Sequence, residues 1–302
     1  MQLLQKTTTY QPEEHADPCL SGSLKLLGQG HPIGTVKSCV TDQAFIRRRE
    51  TFTTTLEEGE QRNDWITFSL RDASSANFFT QNQRVTSLET MAIVTGDQQF
   101  RQITLPDTVV YTFGIKTNLL KRDPRLELLG IKIPAQHCIL KIRGSLRHNV
   151  ISKLELLLKA GLEDQEFHME LTDLATTLIS STSLNEVYQS VSTRSRIVAR
   201  AAEAIRNADP RILNPTIIAN LSFTSVRTLE YAFQEVLVMT PKQYIDYYRI
   251  NLLRQRLIDT PQIPLSQLGD EVGLPHLSKH YKHYKQLYGE TPSGTKKRLA
   301  RL

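Results

Sequence analysis

The apolar positions of this chain change rhythm partway along it. From Leu20 to about Lys121, Val, Ile, Thr, Phe and Tyr gather in short segments: SLKLLG (Ser23–Gly28), GTVKSCV (Gly34–Val40), AFIRRRETFTTTL (Ala44–Leu56), WITFSL (Trp65–Leu70), MAIVTG (Met91–Gly96) and TVVYTFGI (Thr108–Ile115). Gly, Asn, Asp and Pro punctuate them at short intervals. Branched and aromatic side chains fit a pleated, half-buried surface and the punctuation fits turns, so the stretch predicts antiparallel sheets closed into a barrel or sandwich. From Leu126 the spacing becomes helical. Arg147–Asp164 places Val150, Ile151, Leu154, Leu157 and Leu158 on one face, and Phe167–Ser181 does the same with Met169, Leu171, Leu174 and Leu178. These two helices either cover the sheets or meet a second copy of the chain. Met1–Pro18 reads as an irregular or partly helical lead-in, and the polar Ser180–Ser195 as an interdomain linker.

Beyond that linker the pattern repeats. Ile197, Ala201, Ala204 and Ile205 mark a first helix, Arg194–Asn207, which Asp209-Pro210 ends. FQEVLVMTPKQY (Phe233–Tyr244) then lies over YKQLYGETPSGT (Tyr284–Thr295), with Pro241 over Pro292, an offset of 292 − 241 = 51 residues. A repeat of this size marks one supersecondary unit used twice. Each copy opens with a short apolar segment: Ile217, Ile218 and Leu221, then Leu265, Leu268 and Val272. A break follows (Ser222–Ser225; Gly273-Leu274-Pro275), and then a helix. Its apolar face is Leu229, Ala232, Phe233, Val236 and Leu237 in copy one, and Leu277, Tyr281, Tyr284, Leu287 and Tyr288 in copy two. Ser225 suits an N-cap, and the Thr-Pro beyond each end is a stop signal. Helix, tight turn, helix at this length is the helix-turn-helix unit, whose second helix fits the major groove of DNA. Copy one turns Val226, Arg227, Glu230 and Tyr231 outward; copy two turns out His276, Ser278, Lys279, Lys282, His283 and Lys285. Arg can bond a guanine edge twice, Ser either base type, and Lys guanine or phosphate. A solvated basic face would account for one such unit. Two in tandem favour DNA binding.

The residues also carry a resemblance. SVRTLEYAF (Ser225–Phe233), YIDYYRINLLRQRL (Tyr244–Leu257) and GLPHLSKHYKHYKQLYGETPS (Gly273–Ser293) are similar to the two recognition regions and the joining helix of AraC/XylS-type transcription regulators. The resemblance covers about Arg194 to Leu302. It implies base contacts from Arg227, Glu230 and Tyr231 in copy one and from Ser278, Lys279 and Lys282 in copy two. Arg249 stands where the family has Arg. The chain departs from the family at Val238, where Gly is usual. It departs again at Gly269, Leu274 and His280, where Ala, Phe and Phe are usual. A helix end often needs positive φ, which strains a β-branched residue, so Val238 predicts a different end for that helix. His280 at an apolar core position predicts a looser second unit. The β-rich segment in front resembles, more faintly, the cupin-like sensory domain of these regulators, through the Trp65–Phe68 strand and the rhythm that leads to TVVYTFGI.

Charge sharpens this picture. The whole chain is +6. Ser192–Leu302 holds 17 Lys/Arg and 9 Asp/Glu, so 17 − 9 = +8, and the rest is 20 − 22 = −2. The excess lies with the repeat, as a polyanion partner requires, and includes Lys296 and Lys297, both expected to contact DNA. Cys19, Cys39 and Cys138 have no metal or redox spacing and read as reduced intracellular thiols. No signal peptide and no membrane span is expected.

The expected architecture is a multidomain α+β chain. Residues 1–182 form a sensory and dimerisation domain, an antiparallel barrel or sandwich followed by helices, 183–193 a linker, and 194–302 an all-α domain with two helix-turn-helix units. The expected function is a cytoplasmic, sequence-specific transcription regulator, not an enzyme, with no metal or cofactor. Its expected partners are double-stranded DNA, a small-molecule effector, RNA polymerase and a second copy of itself. Two alternatives stand beside it. One is a cupin-like enzyme fused to a nucleic-acid-binding domain, although the strands hold no His-x-His pair. The other is a sequence-blind architectural DNA-binding protein, which groups such as Arg227, Ser278 and Lys279 argue against. His276, His280 and His283 have the spacing of one helix face and so a metal-like pattern, which groove contact and packing explain better.

Overall fold

The computed structural model describes residues 8–9, 19–28, 33–75, 79–81, 84–96, 99–128, 130, 132–134, 137–181 and 193–299. It divides into two compact units. One comprises Met1–Leu24, Ile33–Phe52 and Glu57–Ser190; the other comprises Lys25–Pro32, Thr53–Leu56 and Val191–Leu302. Nearly all of the expected 183–193 linker, and most of the lead-in, lie outside the described residues. Thr8–Thr9 of that lead-in is extended and pairs with Val36 and Thr35.

The first unit is built on strands β1 Thr8–Thr9, β2 Leu20–Leu26, β3 Gly34–Val40, β4 Ala44–Thr51, β5 Thr55–Gln61, β6 Trp65–Arg71, β7 Phe79–Gln81, β8 Arg84–Val85, β9 Thr90–Thr95, β10 Gln99–Thr104, β11 Thr108–Lys116 and β12 Cys138–Lys141. They make one sheet in the order β1-β3-β4-β11-β6-β9-β12 and another in the order β2-β5-β10-β7-β8. The paired strands of the first sheet are antiparallel, as the sequence predicts. One expected segment breaks. Ala44–Leu56 is not continuous but two strands, parted at Phe52–Thr54, where the Phe52 amide turns aside to the Ile33 carbonyl.

Alternation sorts the first sheet into two faces. Ile46, Phe68 and Phe113 point one way, the two Phe rings stacked at 4.7 Å between centroids. Helices α3 (Gly144–Ala160) and α4 (Asp164–Ser181) cover this face with Val150, Leu154, Leu157, Leu158, Leu171, Leu174 and Leu178. Each such burial contributes about 1.5–3 kcal/mol. Of the two readings of these helices, covering the sheet accounts for their apolar stripes. Met169, expected on the α4 stripe, is instead 65% exposed. The opposite face carries Arg47, Arg49, Thr67 and Ser69, all buried.

The second unit is helical: α5 Thr193–Asn207, α6 Pro215–Leu221, α7 Val226–Leu237, α8 Pro241–Asp259, α9 Leu265–Glu271, a 3-10 turn at Leu277–His280, α10 Tyr281–Tyr288 and α11 Pro292–Leu299. Two short helices, α1 Thr117–Lys121 and α2 Pro124–Leu128, belong to the first unit. Helix α8 packs against α7, α9 and α11, so one rod supports both copies of the repeat. The Thr-Pro stop signals act equally as starts. Thr240 closes a capping box with Gln243, Pro241 takes the first turn of α8, and Pro292 opens α11. No helix among the described residues is long and apolar enough to cross a membrane.

Candidate nucleic-acid interface

Copy one is a continuous, well-capped unit. Asn214 caps α6 by accepting from the Ile217 amide, and Ile218 and Ala219 turn inward. The turn passes through Phe223 at φ 53°, with the Thr224 amide bonded to the Ala219 carbonyl. Ser225 then caps α7 by accepting from Thr228. Leu229, Ala232, Phe233, Val236 and Leu237 are its buried stripe, the one the spacing predicts. Phe233 meets Tyr244 of α8 edge-on at 5.4 Å, which fixes α7 on the joining helix.

That anchoring leaves Arg227, Glu230 and Tyr231 exposed, with Val226 half-buried. Arg227 Nη2 donates to the Tyr231 hydroxyl at 3.2 Å, and its guanidinium lies 5.5 Å from the Tyr231 ring centre. One turn of helix separates the two residues, so the pair limits where the arginine fork can point. The helix ends as glycine would end it. Val238 adopts φ 56°, ψ 35°, so the expectation of a different helix end is not met, and the strain falls on a β-branched side chain.

Copy two is assembled differently. Helices α6 and α9 are offset by 265 − 215 = 50 residues, whereas the helix ends at Val238 and Gly289 are offset by 289 − 238 = 51. Its turn therefore holds one extra residue, which the sequence alignment of the later portions conceals. The recognition segment starts as a 3-10 turn and becomes α-helical only at Tyr281. His276 precedes the turn, so His276, His280 and His283 do not share one α-helical face. Among the described residues, no group of three His, Cys, Asp or Glu side chains could hold a metal ion.

His276, Ser278, Lys279 and Lys282 are exposed, and His283 is half-buried. His280 occupies the place that Leu229 fills in copy one, since 280 − 229 = 51. It is half-buried, its Nδ1 is buried without a hydrogen-bond partner, and burial holds its pKa below the ordinary histidine value. Asp246 acts against that shift, while His283, Arg249 and Lys279 reinforce it.

Several supports were not legible from the motif. Arg249 donates from Nε and Nη2 to the Pro210 carbonyl at 2.9 and 2.7 Å, and from Nη2 to the Leu213 carbonyl at 2.9 Å. Gly273, at φ 78°, sits against this clamp. A Cβ there would lie 2.6 Å from the Pro210 oxygen and 2.9 Å from Arg249 Nε. Arg254, 3% exposed, reaches Glu290 at 3.3 Å and lies 4.1 Å from the Tyr288 ring centre. Glu290 also receives Arg298 at 3.1 Å and the Thr295 hydroxyl at 2.8 Å. Burial alone would raise the Glu290 pKa, but these donors outweigh it and hold the carboxyl below its usual value. An arginine on α8 is the sequence-visible trace of this network, but its partners Tyr284 and Glu290 lie 30 and 36 residues away. Lys296 and Lys297, both expected to contact DNA, differ in their surroundings. The Lys296 ammonium donates to the Ile263 carbonyl at 2.6 Å, whereas Lys297 is exposed.

Residues 218–298 match the family model of a helix-turn-helix domain. Among solved structures, the AraC-like transcriptional activator CuxR is 14% identical over 85% of this chain and 92% of its own, with a TM-score of 0.37. ToxT from Vibrio cholerae, bound to (E)-4-(8-methylnaphthalen-1-yl)but-3-enoic acid, is 14% identical over 85% and 98%, with a TM-score of 0.34. A DNA-binding transcriptional dual regulator from Escherichia coli K-12 is 19% identical over 38% and 98%, with a TM-score of 0.32. No curated protein matches the chain. The segment that matches the family runs from inside α6 into α11 and takes in both repeats and the helix between them, so this part of the chain is a helix-turn-helix domain.

Proposed function

We propose that the chain reads one DNA segment with both recognition regions, in successive major grooves about 34 Å apart along one face of the duplex. Arg227, Glu230 and Tyr231 contact bases from copy one; Ser278, Lys279 and Lys282 do so from copy two. Val226, His276 and His283 line the groove, and Lys297 contacts phosphate. Lys296 is occupied by the Ile263 carbonyl and takes a supporting part. The observation that carries this reading is the capped, anchored α7 with the Arg227–Tyr231 pair on its free face, repeated in outline on the same α8. A sequence-blind protein needs cations but no such fixed fork.

Residues 1–182 act in this proposal as a sensor of a small molecule, and the helices α3 and α4 with the following Ser/Thr-rich segment pass the signal. The effector shifts an equilibrium between DNA-competent and incompetent arrangements. A second copy of the chain and RNA polymerase are the protein partners it implies, in the cytoplasm, with no catalytic step.

Selection from a random duplex pool at fixed salt tests the DNA reading. The full-length protein is expected to enrich a bipartite sequence and to give a footprint spanning two turns. Enrichment of nothing above the starting pool, or protection of a single groove, would refute it.

A further inference from the structure

The two repeats of the second unit share α8, and a second tie joins them beside it. Arg249, near the middle of α8, donates from Nε to the Pro210 carbonyl at 2.9 Å, and from Nη2 to the Pro210 and Leu213 carbonyls at 2.7 and 2.9 Å. Those carbonyls belong to the loop that enters α6 of copy one. The loop is held on its own account. Asp209 accepts from the Arg211 amide at 2.9 Å and from Arg211 Nη2 at 2.6 Å, Leu213 is buried, and Asn214 caps the helix that follows. Gly273, which follows α9 of copy two at φ 78°, lies against the same place. A Cβ on it would sit 2.6 Å from the Pro210 oxygen, 2.9 Å from Arg249 Nε and 3.0 Å from the Arg211 Cα. The Pro210 and Arg211 atoms are backbone and cannot swing aside. Copy one and copy two therefore meet main chain to main chain, with the Arg249 fork pinning the contact from α8.

We infer that this contact fixes the separation of the two recognition regions, so that Arg249 and Gly273 are positioning residues that decide which half-site spacing the chain accepts. One added base pair moves a half-site by about 3.4 Å and turns it by about 35° around the duplex axis. Two units that share only a rod can rock about it and follow such a change. A second point of contact, off the axis of the rod, removes that freedom. The planar guanidinium suits the task, because its donors sit in a fixed geometry and hold two carbonyls at once, which a single ammonium does less rigidly. The turn of copy two that makes the contact is also the one lengthened by a residue, so the repeats differ in length where they touch. The inference rests on the reading in which both regions engage one duplex, and it names what sets their spacing.

The first arm of the test needs no DNA. Thr216 on α6 and Ser266 on α9 are exposed and hold equivalent places in the two copies. Full-length protein with Thr216→Cys and Ser266→Cys carries a spin label at each, and paramagnetic resonance reads the distance between them. Cys138, half-buried where Cys19 and Cys39 are buried, is changed to serine so that it takes no label. Gly273→Ala should shift the mean distance by at least about 1 Å, because the new Cβ must push the loop away. Arg249→Gln should broaden the distribution at least about 1.5-fold. If that variant does not melt as a folded protein, Arg249→Lys replaces it and should broaden the distribution through loss of the fork. The second arm adds or removes one base pair between the halves of the bipartite duplex. The parent protein should lose at least about tenfold in affinity, and the folded Arg249 variant less than about threefold. Unmoved distances in folded variants overturn the inference, and so do moved distances with an unchanged spacing preference. Unmoved distances beside a bipartite selected sequence sink this inference alone. Selection of no bipartite sequence refutes the DNA reading and the spacing role with it, while the label distances still report whether the clamp sets the geometry of the unit.

Discussion

The two helix-turn-helix units share a rod and a purpose but place their imperfections in different parts. Copy one has a full apolar core, with Leu229 at 0% exposure, and carries its strain at exposed backbone, at Phe223 and Val238. Copy two supplies glycine at both of the matching backbone positions, Gly273 and Gly289, and carries its weakness inside, at His280. Backbone strain at a surface turn raises energy without loosening the packing around it. A half-buried imidazole with an unpartnered nitrogen leaves the surrounding side chains less firmly packed. The recognition face of copy one is therefore the stiffer reader, and copy two the more easily rearranged.

The largest expected effect breaks the support peculiar to copy two. Arg254→Met removes the buried partner of Glu290 and the cation over Tyr288, and should cost about 3 kcal/mol in urea unfolding. A loss below about 1 kcal/mol would mean that the network is incidental. Arg227→Ala probes the stiff reader. It should cost about 1–3 kcal/mol in DNA affinity and relax discrimination at one base pair, whereas Lys297→Ala should weaken all sequences alike and lower the salt slope by about one. The reverse pattern would exchange the roles of the two residues.

His280→Leu should move copy two towards copy one, raising stability at pH 7 by about 1 kcal/mol. In the native protein the depressed His280 pKa means that the unfolded chain takes up the proton first. Stability should therefore fall as pH drops below the unfolded value of about 6.5 and level off below the folded value. His280→Leu should flatten that slope, and an identical pH profile in the variant would locate the titrating group elsewhere. The smallest effect is expected from Val238→Gly. It relieves a left-handed β-branched residue at some cost in unfolded-chain entropy, a net gain of about 0.5–1 kcal/mol. A lower melting temperature would show that the Val238 side chain contributes more than its strain costs.

The sequence made the helices legible because their buried stripes are apolar and their caps conventional, as at Ser225 and Thr240. It concealed β5 and β10 for the opposite reason. Their inward residues are Glu57, Gln61, Gln102 and Thr104, so a polar interior erased the alternation that marks a half-buried strand. The break at Phe52–Thr54 carries no glycine or proline, and Thr suits a strand, so nothing local announced it. Helix α11 buries only Pro292 and Thr295 and looked like a basic tail. The exposed face of α7 followed from periodicity alone. The tie between Lys296 and Ile263 spans 33 residues, and no local pattern encodes it.

The grip of Arg249 on the Pro210 and Leu213 carbonyls has a mechanical consequence. Helix α5 is the first described element after the Ser/Thr-rich stretch, and the short segment behind it is riveted to the middle of α8. A tug on α5 therefore has two routes, one straight into α6 and α7 through their shared packing and one through this clamp into the shaft that also carries the second unit.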